Sequence, residues 1–227
     1  MQRKKTLLIS SVCGAVVGAL AVRLGTHGPV NIPVLAYDQA LLAHKRYLIA
    51  AIPWMMFSVY WEIAAKNAAS AKTAESSLSR GLHVFLTNVA LLLELAPIRG
   101  LGRFLPASSL TLVAGLVVEA LGLSLAIWSR RALGRNWSGE ISIKVEHELI
   151  RSGPYKLLRH PIYTGLLAMY VGTAVVAGEW LSLIGLAVAV YAYWRKIRLE
   201  EANLDMAFGA DYAVYRRETW ALLPGLY

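Results

Sequence analysis

An all-α integral membrane protein is predicted, with about six transmembrane helices, a C-terminal helical hairpin and a cytoplasmic tail, and three observations lead there. Of 227 residues, 57% are hydrophobic and only 16% charged, with a mean hydropathy of +0.50, outside the range of soluble domains. The apolar residues come in long uninterrupted runs, the pattern of spanning helices. The basic residues behind a formal charge of +9 gather at the ends of those runs, as membrane topology favours, and this placement argues against a nucleic-acid partner.

Taken in order, Arg3, Lys4 and Lys5 precede an apolar run from Leu7 to Val22. That run is long for a signal peptide and ends at Arg23 without a small-residue cleavage site, so it is expected to be a retained first span. Gly14 and Gly18 within it would let another helix approach closely. Thr26 to Arg46, rich in turn formers, is expected to be a loop, and Tyr47 to Ala65 a second span carrying Pro53, with Trp54, Tyr60 and Trp61 as interfacial anchors. A polar connection, Lys66 to Arg80, leads to a third segment over Gly81–Pro97 and a fourth over Leu110–Trp128. Residues 1–128 form one membrane region and 129–227 a second unit.

The polar stretch Arg130–Arg159 is expected to lie on the membrane surface, with a short strand at Ile141–Val145, where apolar and polar residues alternate. Asn136 and Trp137, in the loop ahead of the next helix, suit either a lid or a packed surface turn. Ile162–Ala177 is a fifth segment and Trp180–Trp194 a sixth; Gly178 and Glu179 leave room only for a tight turn, so these two form an antiparallel hairpin. Assigning loops to alternate sides places all but five of the 23 Lys and Arg residues (Arg23, Lys45, Arg46, Arg99 and Arg103) on the side of the N-terminus. Both termini are therefore expected in the cytoplasm.

The stretch from Gly153 to Gly165, a basic turn running straight into an apolar helix, is where chemistry on a lipid-like substrate would sit. Pro161 suits the first helical turn, where its missing N–H costs nothing. Because the hairpin turn is so short, His160 and Tyr163 at the mouth of one helix should meet Glu200 and Glu201 on the other. Cys13 is the lone cysteine, so neither a disulfide framework nor a thiolate metal site is available. Glu62, Glu94 and Glu119 fall within apolar spans, where a carboxylate points to function or to hydrogen bonding between helices.

Arg159-His160-Pro161-Ile162-Tyr163-Thr164-Gly165, followed by Glu200-Glu201, Leu204, Phe208-Gly209, Tyr212 and Tyr215, resembles the isoprenylcysteine carboxyl methyltransferase family and its phospholipid N-methyltransferase relatives. Leu133–Gly139 and Glu148–Tyr155 resemble the bacterial branch of that family. The resemblance implies a methyltransferase using S-adenosylmethionine (SAM), held by Tyr155, Arg159, His160, Pro161, Tyr163, Gly165, Glu200 and Glu201. Carboxylates suit the ribose hydroxyls or the amino group, an arginine the carboxylate, and an aromatic ring the adenine or the sulfonium. No glycine-rich loop after a strand suggests a soluble dinucleotide-type fold.

The acceptor is expected to be a lipophilic carboxylate such as that of an isoprenylcysteine, oriented by Arg195, Arg198 or Arg135; a lipid amine or thiol stays open. A sterol-reductase-like oxidoreductase binding NADPH is the alternative from another enzyme class, and a non-catalytic membrane protein keeping the same fold is a third reading. No metal is implied. The partners are the lipophilic substrate and membrane lipids, and the expected location is a bacterial plasma membrane.

Overall fold

A computed structural model describes residues 34–66, 75–95, 101–137 and 148–225. The expected first span, its glycine pair and the Ile141–Val145 strand lie outside these residues. Among the described residues six α-helices follow one another: α1 (Val34–Ala65), α2 (Ser77–Leu95), α3 (Ser109–Leu133), α4 (Pro161–Ala177), α5 (Trp180–Phe208) and α6 (Ala210–Glu218), with 3-10 turns at Gly134–Asn136 and Gly153–Lys156. No strand occurs among the described residues, only two isolated bridges. The described residues are all-α, and the chain is an integral membrane protein. Lys45–Ala65, Ser77–Leu95 and Ser109–Asn136 are long and apolar enough to cross a membrane, and α4 is a shorter apolar helix.

Side-chain bonds fix the antiparallel order. At one end Arg46 donates to Thr111 Oγ1 (3.0 Å), and Tyr47 donates to Glu179 beside the α4–α5 turn. At the other end Arg130 of α3 donates to the Ala64 carbonyl (2.5 Å), and Arg195 of α5 donates to Ser79 Oγ of α2 (2.9 Å). Hence α1, α3 and α5 run one way and α2 and α4 the other. Lipid-facing surface is plain on α1, where Ile52, Met55, Met56, Val59 and Ile63 are all half or more exposed; water would not tolerate so continuous an apolar strip.

Helix α1 begins earlier than expected. The turn formers Gly28, Pro29, Asn31 and Pro33 that suggested a loop all precede Val34, and from there to Arg46 the chain has neither Gly nor Pro to break a helix. Trp54 and Trp61 are not interfacial anchors. Spaced with Phe57 along one face of α1, both are buried, and Trp54 donates its indole N–H to Thr173 Oγ1 at 2.9 Å. Trp137 is packed edge-on to Trp61 and under the Arg130 guanidinium, the packed turn of the two readings.

The hairpin turn is as predicted: Gly178 closes α4 with a left-handed φ of 63°, a conformation that glycine adopts without penalty. The helices of the hairpin, however, pack more extensively on others than on each other, α4 on α3 and α5 on α2. Four glycines explain the first pairing. A Cβ on Gly122 or Gly165 would lie 2.5 Å from the other's carbonyl oxygen, and the same holds at 2.6 Å for Gly115 and Gly172. Two glycines seven residues apart on each antiparallel helix therefore bring the backbones into contact. Glu119 also bridges this seam, accepting from Thr173 Oγ1 at 2.7 Å, and Glu94 is buried beside Gly185 of α5. Glu62 is half-buried on α1.

Candidate active site

Pro161 sits at the first position of α4 with His160 as its N-cap. From that mouth α4 runs 17 residues to the turn, and α5, 29 residues long, returns past the same level. At about 1.5 Å per residue the twenty-first residue of the return is Glu200, which brings both glutamates opposite His160. The expected juxtaposition is found. His160 Nδ1 lies 3.5 Å from Glu200 Oε2 and His160 Nε2 lies 3.4 Å from Glu201 Oε1, while the Tyr163 hydroxyl donates to Glu200 Oε1 at 2.5 Å. The His160 and Tyr163 rings stack with centroids 5.7 Å apart, one helical turn along α4.

Arg159 builds the other wall. Its Nε donates to Glu201 Oε1 at 2.8 Å, and its Nη1 donates to the carbonyls of Arg216, at 3.1 Å, and Thr219. The tail returns here because Gly209, with φ 50°, ends α5 and lets α6 fold back. Beyond α6, the Trp220 N–H donates to the Leu157 carbonyl (3.0 Å), the Arg159 N–H to Trp220 O (2.8 Å) and the His160 N–H to Ala221 O (3.0 Å). A short parallel pairing thus holds the Arg-His-Pro turn against the tail, reinforced by Tyr215 donating to the Tyr155 carbonyl and Thr164 donating to the Leu222 carbonyl, both at 2.7 Å.

Charge is balanced by contact. For Glu201, burial alone would raise the carboxyl, but hydrogen bonds from His160 and Arg159 hold it down at about 2. Glu200 is likewise held below the ordinary range: its burial is outweighed by His160, Lys196 and Tyr163. Burial would depress His160, yet the two carboxylates raise it above 6.5. The contacts thus favour the protonated imidazole and the two ionised carboxylates together. Lys196, one turn before Glu200 on α5 and 6% exposed, escaped the sequence reading, although its i, i+4 spacing to Glu200 was a signal. Tyr212 is fully buried, its hydroxyl beside the Glu201–Arg159 pair.

The remaining predicted residues divide. Tyr155 is buried in the 3-10 turn close to this cluster. Gly165 faces α3, where the close approach of two backbones accounts for it. Arg195 is bound to Ser79 of α2, and Arg198 is exposed on the flank of α5. Arg135 lies at the end of α3 in a separate basic cavity that none of the His160–Glu201 cluster lines.

Residues 110–211 match the family model for phospholipid methyltransferases. Among curated proteins the chain is similar to protein-S-isoprenylcysteine O-methyltransferase B of Arabidopsis thaliana, 34% identical over 113 residues, which is 48% of this chain and 57% of the relative. The protein-S-isoprenylcysteine O-methyltransferase of Homo sapiens is 23% identical over 194 residues, covering 84% of this chain and 68% of that protein. The matched region therefore spans little more than half of the plant relative. A solved eukaryotic intramembrane Ras methyltransferase, isoprenylcysteine carboxyl methyltransferase, aligns over 100% of this chain and 99% of its own with a TM-score of 0.45 and 16% identity. In its C-terminal half the chain is therefore similar to the phospholipid methyltransferase family model and to isoprenylcysteine O-methyltransferases.

Proposed function

We propose that the chain is a SAM-dependent methyltransferase that esterifies the carboxylate of an isoprenylcysteine-like lipophilic acceptor reaching the site from the membrane. The observation that carries the reading is the closure of the Arg159–Tyr163 helix mouth onto Glu200 and Glu201. The donor set fits the cofactor. Glu200, whose side chain is 21% exposed, offers a carboxylate to an ammonium or to ribose hydroxyls.

When bound, SAM supplies a sulfonium-activated methyl group, and transfer to a carboxylate is an in-line displacement needing mainly position and a dry site. His160 and Tyr163 fix the Glu200 carboxylate, the Arg159–Glu201 pair ties α5 to the tail, and the stacked His160 and Tyr163 rings with Tyr193 form an aromatic wall. Arg195 and Arg198, about one and a half turns and less than one turn before the acidic pair on α5, are the proposed orienting groups for the acceptor carboxylate. The excess of basic residues on one side supports a cytoplasmic location for both termini and the site, in a membrane we read as a bacterial plasma membrane.

Titrating the purified protein with SAM and with NADPH tests the first half of this reading: selective SAM binding is expected, and selective NADPH binding or none of either would reject it. Mass spectrometry of products from isotopically labelled SAM and membrane extracts tests the second. A methyl ester of a prenylated thioether acid is expected; a methylated amine or thiol would reject the acceptor.

A further inference from the structure

At the end of the bundle where α1 and α3 finish, a cavity of about 590 Å³ is lined by Lys66, Arg130, Arg131 and Arg135 together with Tyr60 and, among the described residues, by no carboxylate. Basic residues at the ends of apolar helices are ordinarily snorkelling side chains with separate paths to water. Arg130 departs from that. It is 3% exposed, its Nη1 donates to Gly134 O (2.7 Å) and its Nη2 to Ala64 O (2.5 Å), and its guanidinium lies 4.4 Å from the Trp137 ring. It is therefore a rigid floor joining the last turns of α1 and α3, and its Nε is buried with no hydrogen-bond partner. The other three cations are exposed and converge on the same volume; among the described residues none of them forms an ion pair with a carboxylate. Four like charges around one concavity raise its potential and draw an anion into it.

We infer that this cavity binds the phosphate of an anionic membrane-lipid headgroup. Phosphate matches several converging Lys and Arg donors. A lipid is the source because the cavity lies where two membrane-spanning helices end, at the level of headgroups. Directly along α1, Met56 and Ile63 share the face of Tyr60 by i−4 and i+3 spacing and are 57% and 60% exposed, so an acyl chain has an apolar track beside the cavity. The inference is independent of the methyltransferase reading, since no residue of the His160–Glu201 cluster lines the cavity.

The test uses full-length protein purified from membranes, with native mass spectrometry of retained lipid after exchange into mixtures of phosphatidylglycerol and phosphatidylcholine. The wild type is expected to keep phosphatidylglycerol preferentially. In Lys66→Gln/Arg131→Gln the preference should fall by about 30-fold, the effect of removing two cations at headgroup level. A control double variant of equal charge loss away from the cavity, Lys156→Gln/Arg217→Gln, should keep it. Equal retention of the two lipids by the wild type, or equal losses in both variants, overturns the inference. Displacement of the retained lipid by millimolar inorganic phosphate would assign the site to soluble phosphate and overturn the lipid source. SAM affinity measured on the same preparations reports that the variants are folded.

Discussion

Glu200 and Glu201 are neighbours in sequence, yet His160 separates their roles: its Nδ1 faces the part-exposed Glu200, and its Nε2 faces Glu201, which is also bound to Arg159. Glu201 is an element of architecture as well as of the site, whereas Glu200 keeps surface for a ligand. Glu200→Gln is expected to weaken SAM binding about tenfold or more while leaving the melting temperature near that of the wild type. Glu201→Gln should lose binding and also destabilise by about 3 kcal/mol, the lower end of what breaking a buried pair costs, because two carbonyls still bind Arg159. Calorimetric titration and thermal unfolding in the same detergent separate the two, and equal melting temperatures for both variants would contradict the division.

The same clamp sets a pH window. His160 is raised above 6.5 by the carboxylates of Glu200 and Glu201 against the effect of its burial, with Arg159 and Tyr163 beside it. Its contribution to stability is fully present below 6.5 and is lost as pH rises through the higher folded value. Glu201, brought from 4.5 to about 2, contributes above 4.5 and loses that contribution as pH falls toward 2. A plateau between roughly pH 4.5 and 6.5 with a decline on each side is expected in melting temperature. His160→Asn should remove the alkaline decline and keep the acid one; an unchanged alkaline limb would show that another group controls it.

Much of this was legible in the residues. Pro161 and Gly178 mark the ends of α4 because each has a local backbone reason to be there, and the spacing from the turn to Glu200 follows from helix rise alone. Other features depend on which helices touch, and in lipid that is hard to read, since core-facing and lipid-facing positions are equally apolar. Trp54 and Trp61 looked like anchors for that reason, and the glycines at 115, 122, 165 and 172 showed their meaning only once α3 and α4 were seen antiparallel. The pairing of Trp220 and Ala221 with Leu157–His160 joins segments some sixty residues apart and has no local signature.

Those glycines carry a stability expectation. Gly122→Ala and Gly165→Ala would each place a methyl group 2.5 Å from a backbone oxygen of the facing helix, which cannot move without separating α3 from α4. Each should destabilise by about 1 to 3 kcal/mol. Gly81→Ala on α2, where nothing lies within 4 Å, should instead be neutral or stabilising by up to about 1 kcal/mol. Thermal unfolding of the three variants decides it; if Gly165→Ala is as stable as Gly81→Ala, the close contact is not what requires glycine there.

The tail is expected to govern the site through its backbone. The Trp220 N–H donates to Leu157 O, and the Trp220 carbonyl accepts from the Arg159 N–H, so this residue holds both sides of the turn that presents Arg159 and His160. Trp220→Pro removes that donor and leaves the Leu157 carbonyl without it, at about 1 to 3 kcal/mol. Trp220→Ala preserves the backbone pairing and removes only a ring that is 42% exposed. The proline variant should therefore lose SAM affinity by at least about tenfold while the alanine variant stays within a few-fold of the wild type. If the two variants bind SAM alike, the side chain and not the pairing supports the site, and the tail's role as a backbone brace is wrong.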